Sequence, residues 1–516
     1  MTGLEQEYRA LLIYPPGPVY QRGDDRCQSN VEASAAASTR SCNDLGYAAA
    51  VLRDFGYTPT IKDFQTERYR YRRALDEVIA FQADLLMISV TYGSIYDDLL
   101  FAKAVRDGYA LTGKPNLTIV LKGAVFFNPP EAIMRELDVS SADYLIGGEV
   151  DTSIGLIADY ALRGKGDPDA IPAILYKPRK DKAIEEREGA HSSSFDSSCS
   201  HETAFIRTRF DAWNTELDDI PFPARDLMDL SLYKRPDTGS PMATIQTSRG
   251  CYGSCTYCMA PTVSGRRVRF RSPQNVFAEI EECYTLYEVK DFYFKSDTFT
   301  ANEKWVRELC ELIIDSPLAG KIAFSVNARV RPLQKETLQF LKMAGCFLIS
   351  FSFESGSPET LIKTRKGAKV SDNISAAMWS REVGIPVYGF FTVGFPWEDQ
   401  SHLKMTQDHI YELKPDYLEI HIALPYWGTK LHELYSQTGA LEDRPPGEGS
   451  FASNISGKRT LTLGELRRFR RRVQLGYYMR PNYVWNKIAP TLKSPKTTLD
   501  YIFYGLRLIR NTLKDS

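Results

Sequence analysis

The chain has 516 residues, of which 43% are hydrophobic and 25% charged, and its formal net charge is −1. This length exceeds what one hydrophobic core usually organises, so two or three domains are expected. The near-neutral charge excludes a global attraction to nucleic acid or to an anionic membrane. No apolar run approaches the ~18–20 residues that span a bilayer, and residues 1–9 lack the features of a signal peptide. A cytoplasmic, reducing location is therefore predicted.

The first third of the chain alternates short apolar runs with segments of helical spacing. The runs bounded by turn residues, which predict buried strands, are 10–14, 58–64, 85–91, 117–121 and 144–146. Segments with helical spacing separate them, for example residues 44–55, which stop at Gly56. Strands that alternate with helices indicate a doubly wound parallel sheet, here assigned to residues 1–178.

Small and polar residues stand where the strands of this sheet should end. They are Pro15, Ser89, Thr91, Gly123, Gly147, Gly148 and Glu149. Open parallel sheets bind ligands at the carboxyl ends of their strands, and small residues there let a large flat or phosphorylated ligand approach the backbone. The sequence therefore predicts a ligand site at this edge. A domain with only a scaffolding role remains the alternative.

Residues 179–240 read as a linker. A mixed-charge run is followed by a serine-rich stretch around Ser192 to Ser194, and neither can bury enough apolar area to fold alone.

Three cysteines, Cys251, Cys255 and Cys258, crowd a short segment after the apolar run 242–247. Three thiolates so close together suit a metal better than a disulfide, which would leave one of them over. Zinc sites and four-thiolate iron–sulfur sites usually draw four protein ligands, and no second CxxC pair follows. The loop therefore indicates a 4Fe–4S cluster with one iron open to a ligand. Incidental core cysteines, or zinc in a nucleic-acid-binding module, are the alternatives.

The C-x3-C-x2-C spacing, with Tyr257 before the last cysteine, resembles the radical S-adenosylmethionine (SAM) enzymes. The resemblance implies that the open iron chelates the amino and carboxylate groups of SAM. One electron then cleaves SAM to a 5′-deoxyadenosyl radical, which requires an electron donor such as flavodoxin or ferredoxin.

Residues 241–440 contain six strand-like runs separated by amphipathic helices, a count that fits the partial (β/α)6 barrel of radical SAM enzymes. Polar or small residues stand at the predicted strand ends, and the resemblance places SAM there. Glu354 would accept the ribose hydroxyls, Arg329 would hold the carboxylate, and Gly394 would let the backbone approach the adenosyl group. Ser296 and the backbone of Tyr257 complete the predicted SAM site. Each polar residue taken singly could instead cap a helix.

A sheet domain ahead of a radical SAM loop resembles the cobalamin-dependent (class B) radical SAM enzymes, with Ser89 and Gly123 at the family's S-x-L and GG positions. The chain has no histidine before His191, so this domain cannot ligate cobalt through histidine. The resemblance implies cobalamin-dependent methylation of a carbon in a small or lipophilic metabolite, using two SAM molecules per turnover. Ring or carbon–carbon bond formation without methyl transfer is the alternative.

Residues 441–516 are predicted to be a helical, basic tail. From Lys458 onward, 14 lysines and arginines stand against three acidic residues, interleaved with aromatic side chains. Packing on the barrel is the favoured interpretation. Peripheral membrane contact is the main alternative, and nucleic acid binding is not expected.

Overall fold

The computed structural model describes residues 7–19, 39–178 and 205–489, apart from residues 115, 130, 212, 236, 439–440, 443–455 and 458–459. The chain divides into two compact units. The first is formed mainly by Cys42–Thr215 and the second mainly by Asp229–Ser516. The serine-rich part of the predicted linker and the last 27 residues of the tail, 490–516, lie outside the described residues.

A seven-stranded sheet in the order β2-β1-β3-β4-β5-β6-β7 forms the centre of the first unit. Its strands are β1 (Arg9–Tyr14), β2 (Thr58–Asp63), β3 (Leu85–Ser89), β4 (Thr118–Lys122), β5 (Tyr144–Ile146), β6 (Ile174–Tyr176) and β7 (Ile206–Arg207). Its α-helices are α1 (Asn43–Asp54), α2 (Tyr71–Phe81), α3 (Ile95–Leu111), α4 (Glu131–Glu136) and α5 (Ile154–Ala158). All five residues of β3 are buried, as expected for a central strand covered by helices on both faces.

The first five strands pair in parallel, which confirms the predicted sheet, but its edge differs from the prediction. Strands β6 and β7 run antiparallel to their neighbours. They are only three and two residues long, so they carry no periodic signal. The second of them lies within the segment predicted to be a linker.

The second unit contains six parallel strands in the order β15-β14-β13-β12-β11-β8. They are β8 (Met242–Gln246), β11 (Asp291–Lys295), β12 (Ala323–Ala328), β13 (Cys346–Glu354), β14 (Val387–Val393) and β15 (Tyr417–Ile422). The helices of this region are α6 (Ala260–Val263), α7 (Pro273–Tyr287), α8 (Glu303–Ile314), α9 (Lys335–Met343), α10 (Pro358–Lys363), α11 (Val370–Val383), α12 (Gln400–Leu413) and α13 (Lys430–Gln437). The six-unit βα prediction is confirmed.

Local sequence accounts for these elements. Ser272 caps α7 by accepting a hydrogen bond from the Asn275 N–H. Helix α8 buries Trp305, Leu309 and Ile313 on one face, which follows the 3.6-residue period of an amphipathic helix.

The second unit also contains two small antiparallel ladders. They are formed by β9 (Ser248–Arg249) with β10 (Arg269–Phe270) and by β16 (Leu441–Glu442) with β17 (Ser456–Gly457).

The tail forms helices α14 (Leu463–Tyr478) and α15 (Pro481–Ile488). Thr462 and Glu465 make a capping box at the start of α14. The Tyr478 hydroxyl donates to the Leu418 carbonyl (2.9 Å) and accepts from the Leu418 N–H (2.7 Å), so this tail helix packs along β15. Among the described residues, no helix combines the length and the apolar character needed to cross a membrane.

Candidate functional site

The three cysteines lie on a loop that leaves the short strand β9 and enters α6. Cys251 is buried, whereas Cys255 and Cys258 are half-buried. Gly250, with φ +91°, makes the turn into the loop, and a Cβ there would lie 2.2 Å from the Arg267 carbonyl oxygen. Only glycine fits this position. The Gly250 N–H donates to Asp297 (3.1 Å), just beyond β11, so the strand end of the neighbouring βα unit fixes the start of the loop.

Hydrogen-bond donors lie beside all three sulfurs, and the Arg329 guanidinium is the partner of Cys255. The Gly253 N–H donates to Cys251 Sγ (3.4 Å), the Ala260 N–H donates to Cys258 Sγ (3.4 Å), and the Thr298 hydroxyl donates to Cys251 Sγ (3.3 Å). Donors of this kind stabilise thiolates.

The three thiols form no disulfide. Among the described residues, no three Cys, His, Asp or Glu side chains converge as they would around one metal ion. Three thiolates are the donor set of a 4Fe–4S cluster with one open iron, whereas a closed zinc site takes four protein ligands.

Arg329 follows β12 and lies beside the cysteine loop. Its Nη2 donates to the Lys366 carbonyl (2.6 Å), and its guanidinium lies 5.4 Å from the centre of the Tyr252 ring. Burial alone would lower the pKa of Arg329, but the neighbouring Cys255 thiolate raises it, and the net shift is upward. Its Nε is buried without a hydrogen-bond partner. A cation with a free donor beside the cysteines is the feature expected of a residue that holds the carboxylate of SAM.

Glu354 ends β13 in a strained conformation. Its φ is +65°, and the pairing of β13 with β14 shifts register between Ser352 and Glu354. Such an irregularity re-aims a side chain, often next to an active site. The buried carboxylate accepts from Lys366 Nζ (2.9 Å) and the Thr392 hydroxyl (2.6 Å), and also from the Tyr257 hydroxyl.

The electrostatics of this group keep Glu354 charged. Burial alone would raise the pKa of Glu354. The Lys366 charge and the three hydrogen bonds lower this pKa by a larger amount, so the net shift is downward. Burial and the Glu354 charge together hold the pKa of Tyr257 well above its usual value. A carboxylate has about four acceptor positions, so with three of them occupied Glu354 can still accept one ribose hydroxyl.

The remaining predicted SAM residues have contacts within the protein. The Ser296 hydroxyl shares a hydrogen bond with Ser248 Oγ (2.6 Å) and accepts from the Thr298 N–H (2.9 Å). The Gly394 N–H donates to Glu398 (2.6 Å), and a Cβ on Gly394 would lie 2.5 Å from Leu466 of α14. These contacts would account for both residues without a ligand, so their roles in binding SAM stay predictions.

Sequence reasoning missed three residues of this region: Thr298, Lys366 and Thr392. Thr298 carries a weak signal, because it lies two residues beyond Ser296 at the same strand end. Lys366 lies in the segment after α10, and Thr392 lies on β14. Both contact Glu354 only because the fold brings these two segments to the end of β13.

The other predicted site lies in the first unit, around a buried carboxylate. Asp44 of α1 accepts from the Tyr14 hydroxyl (2.9 Å) and the Ser89 hydroxyl (2.7 Å), and Lys122 Nζ lies 3.7 Å away. The side chains of Lys122 and Asp44 are 3% and 5% exposed, so their charges compensate each other away from water.

The small residues of this edge also pack against the protein itself. A Cβ on Gly123 would meet the Val90 side chain at 2.6 Å, one on Gly147 the Phe126 carbonyl oxygen at 2.2 Å, and one on Gly148 the Ala173 Cβ at 2.5 Å. Three other members of the set also have surroundings within the protein. Pro15 is buried. The Thr91 N–H donates to Asp98 (3.1 Å), and Glu149 accepts from the Asn214 N–H (3.0 Å). These residues do stand at the strand ends, but their roles towards cobalamin stay predictions.

Comparison with known proteins identifies the second unit. Residues 245–410 match the Radical SAM superfamily. The chain is 25% identical over 437 residues to an uncharacterized methyltransferase of Pyrococcus horikoshii, covering 85% of this chain and 87% of the relative. It is 26% identical over 413 residues to the cytidylyl-2-hydroxyethylphosphonate methyltransferase of Streptomyces wedmorensis, covering 75% and 73%.

A solved structure extends the likeness to nearly the whole chain. The cobalamin-dependent SAM radical enzyme OxsB, with aqua-cobalamin and SAM bound, superposes with a TM-score of 0.71 at 14% identity, covering 98% of this chain and 72% of that one. The superfamily match confirms the expectation of a 4Fe–4S cluster and SAM. Residues 245–410 therefore match the radical SAM superfamily, and the chain has the fold of a cobalamin-dependent SAM radical enzyme, as the sequence resemblance predicted.

Proposed function

We propose that this protein is a cobalamin-dependent radical SAM enzyme that methylates a carbon atom of a small or lipophilic metabolite. The observation that carries the proposal is the donor set at the end of the six-stranded sheet. Three cysteines without a disulfide lie there beside Arg329, a cation with an unpartnered donor. The names of the two methyltransferase relatives support methyl transfer as the reaction.

Different residues of the second unit would bind the cluster and the parts of SAM. Cys251, Cys255 and Cys258 would hold the cluster, which supplies the electron that cleaves SAM. Arg329 would bind the SAM carboxylate through its free Nε. Lys366 and Thr392 hold the Glu354 carboxylate at the end of β13, where it would receive the ribose. Tyr257, Ser296 and Gly394 would complete the SAM site from neighbouring strand ends.

Cobalamin is proposed for the first unit, where it would carry the methyl group. The support is the parallel sheet and the fold shared with OxsB, which binds aqua-cobalamin. Pro15, Ser89, Thr91, Gly123, Gly147, Gly148 and Glu149 remain the candidate contacts at its strand ends. Ser89 would act through a hydroxyl that Asp44 already orients.

Anaerobic reconstitution tests the cluster. We expect about four irons and four sulfides per chain, with reductive cleavage of SAM to 5′-deoxyadenosine in the presence of dithionite. Cys251→Ala should abolish this cleavage. The matched control Cys283→Ala removes a buried thiol of α7 and should leave cleavage intact. A colourless protein that holds zinc, or a Cys251→Ala variant with wild-type cleavage, would contradict the proposal.

Mass spectrometry of the protein reconstituted with cobalamin tests the second cofactor, and SAM carrying a deuterated methyl group tests the reaction. Recovery of bound cobalamin and transfer of the label to an accepted metabolite would support C-methylation. Full cluster occupancy with no cobalamin, or turnover without label in the product, would favour the ring or carbon–carbon bond-forming alternative.

The basic tail is proposed to contact membranes peripherally, which would suit a lipophilic substrate. Helix α14 buries Leu466, Phe469, Val473, Tyr477 and Tyr478, whereas Arg467, Arg468, Arg471 and Arg472 are exposed. On α15, Trp485 is 64% exposed. A helix with exposed arginines, followed by one with an exposed tryptophan, suits an anionic lipid surface.

Cosedimentation with vesicles of phosphatidylserine and phosphatidylcholine tests this contact. We expect binding that weakens in salt and in a variant with the four exposed arginines changed to glutamine. Binding only to a flavodoxin or ferredoxin, the electron donors proposed for the reaction, would assign the arginines to that partner instead.

A further inference from the structure

The three candidate cluster ligands differ in what donates to them. Cys251 Sγ accepts two hydrogen bonds, from the Gly253 N–H and the Thr298 hydroxyl. Cys258 Sγ accepts from the Ala260 N–H, and Cys255 is hydrogen-bonded to the Arg329 guanidinium. Both amides belong to the cysteine loop and its exit, whereas Thr298 comes from the neighbouring βα unit. The loop could therefore keep its shape without Thr298. The Thr298 hydroxyl is instead a contact from outside the loop to the Cys251 sulfur.

Thr298 is held in position from its backbone side. Its N–H donates to Ser296 Oγ (2.9 Å), and Ser296 Oγ shares a hydrogen bond with Ser248 Oγ (2.6 Å) just before the cysteine loop. Thr298 is 1% exposed. Water therefore does not compete for its hydroxyl, whose hydrogen bond is correspondingly stronger in a medium of low dielectric.

We propose that the Thr298 hydroxyl raises the reduction potential of the 4Fe–4S cluster by donating to the Cys251 thiolate. The inference rests on the proposed cluster site. Reduction adds an electron to the cluster and increases the negative charge on its sulfurs. A donor to a ligand sulfur stabilises that added charge, and hydrogen bonds to the sulfurs are among the factors that set the potentials of such clusters. Thr298 is thus a positioning and tuning residue, not a ligand.

Redox titration of the reconstituted protein, followed by electron paramagnetic resonance, tests the proposal. Thr298→Val keeps the shape of the side chain and removes the donor, so its midpoint potential should move to a more negative value at unchanged iron content. Thr298→Ser keeps the hydroxyl and should stay near wild type. Thr300→Val is the matched control, because Thr300 is equally buried and follows two residues later, but its hydroxyl donates to the Arg329 carbonyl (3.4 Å).

The outcomes separate this inference from the proposed function. Absence of a cluster in the wild-type protein would defeat the proposed function itself. A full cluster in Thr298→Val with the wild-type midpoint would overturn only the tuning role. Thr298→Ala provides a second variant without the hydroxyl. Loss of iron from both hydroxyl-free variants, with retention in Thr298→Ser, would show that the hydroxyl secures the cysteine ligand and would likewise overturn the proposal.

Discussion

The two parallel sheets of this chain place polar side chains at equivalent positions, the carboxyl ends of their strands, but the groups are satisfied differently. In the first unit, Tyr14, Ser89 and Lys122 surround Asp44, so the polar groups compensate one another. In the second unit, Lys366, Thr392 and Tyr257 satisfy Glu354 in the same way, but Arg329 keeps a buried Nε without a partner. Being at a strand end is therefore a weak indicator of a ligand contact. The presence of an unsatisfied donor is a stronger one.

Glycines show the same contrast. The Cβ of an alanine at Gly147 would collide with the backbone oxygen of Phe126. At Gly253, beside the cysteines, the nearest atom to a Cβ is Nη1 of Arg329 at 2.9 Å, the end of a long side chain that can move. At these two positions, rigid backbone closes the space beside Gly147, whereas a side chain that can move borders Gly253.

Removing the shared carboxylate of the first unit should have the largest effect. Asp44→Ala takes the compensating charge from buried Lys122 and an acceptor from two hydroxyls, so we expect a loss of about 3–5 kcal/mol in the free energy of unfolding, measured by urea denaturation. Asp76→Ala, which removes an exposed ion pair with Arg72, should cost less than about 0.5 kcal/mol. Equal effects of the two substitutions would contradict the buried cluster.

Removing the free donor of the second unit should impair ligand binding without impairing the fold. Arg329→Met loses a charged hydrogen bond worth about 1.5–3 kcal/mol, so the dissociation constant for SAM should rise about 10- to 150-fold, measured by anaerobic calorimetry on the reconstituted protein. The control Arg307→Met removes an exposed ion pair with Glu311 and should leave affinity unchanged. Wild-type affinity in Arg329→Met would remove Arg329 from the SAM site.

Adding one methyl group tests whether the first edge is closed. Gly147→Ala should destabilise the first unit by about 2 kcal/mol, because overpacking against backbone forces the chain to shift. Gly17→Ala is the control, since nothing lies within 4 Å of its Cβ position. Thermal unfolding in the absence of cofactors measures both. An unchanged melting temperature in Gly147→Ala would mean that this edge can open.

The smallest effect concerns Asp98, which accepts from the Thr91 N–H and the Ser94 hydroxyl. Burial raises its pKa to about 8. The folded state therefore keeps a proton that the unfolded state releases, so the stability contributed by Asp98 falls as pH rises from about 4 to about 8. Asp98→Asn should remove this loss, so its stability relative to the wild-type protein should be greater at pH 8 than at pH 5. A gain of equal size at both pH values would exclude titration of Asp98 as its cause.

Much of the fold was predictable from the sequence, because apolar runs and helical spacing report burial directly. Strand β5 has the predicted bounds, residues 144–146, and both ends of α1 (Asn43–Asp54) lie within one residue of the predicted helical segment 44–55. Strands β6 and β7 were missed, because pairs and triplets of residues gain strand character only from their neighbours in the sheet.

The site was predictable to a smaller extent. Cysteine spacing identified the cluster loop, since the spacing itself is the chemical signal. The partners of Glu354 could not be predicted, because Thr392 reaches it through the pairing of β13 with β14 and a local shift of register, and Lys366 through the course of the segment after α10. Thr298 was missed for a related reason, since its contact with Cys251 joins two βα units that are 47 positions apart in the chain.

The contact between Tyr478 and Leu418 has a consequence for solution behaviour. Strand β15 is the last strand of its sheet, and an uncovered last strand offers its amides and carbonyls to strands of other molecules. One phenol occupies both backbone groups of Leu418, while the hydroxyls of Tyr477 and Tyr483 bind the carbonyls of Pro415 and Asp416. We therefore expect the aromatic tail to hinder self-association. Truncation of the chain after residue 460 should make the protein aggregate.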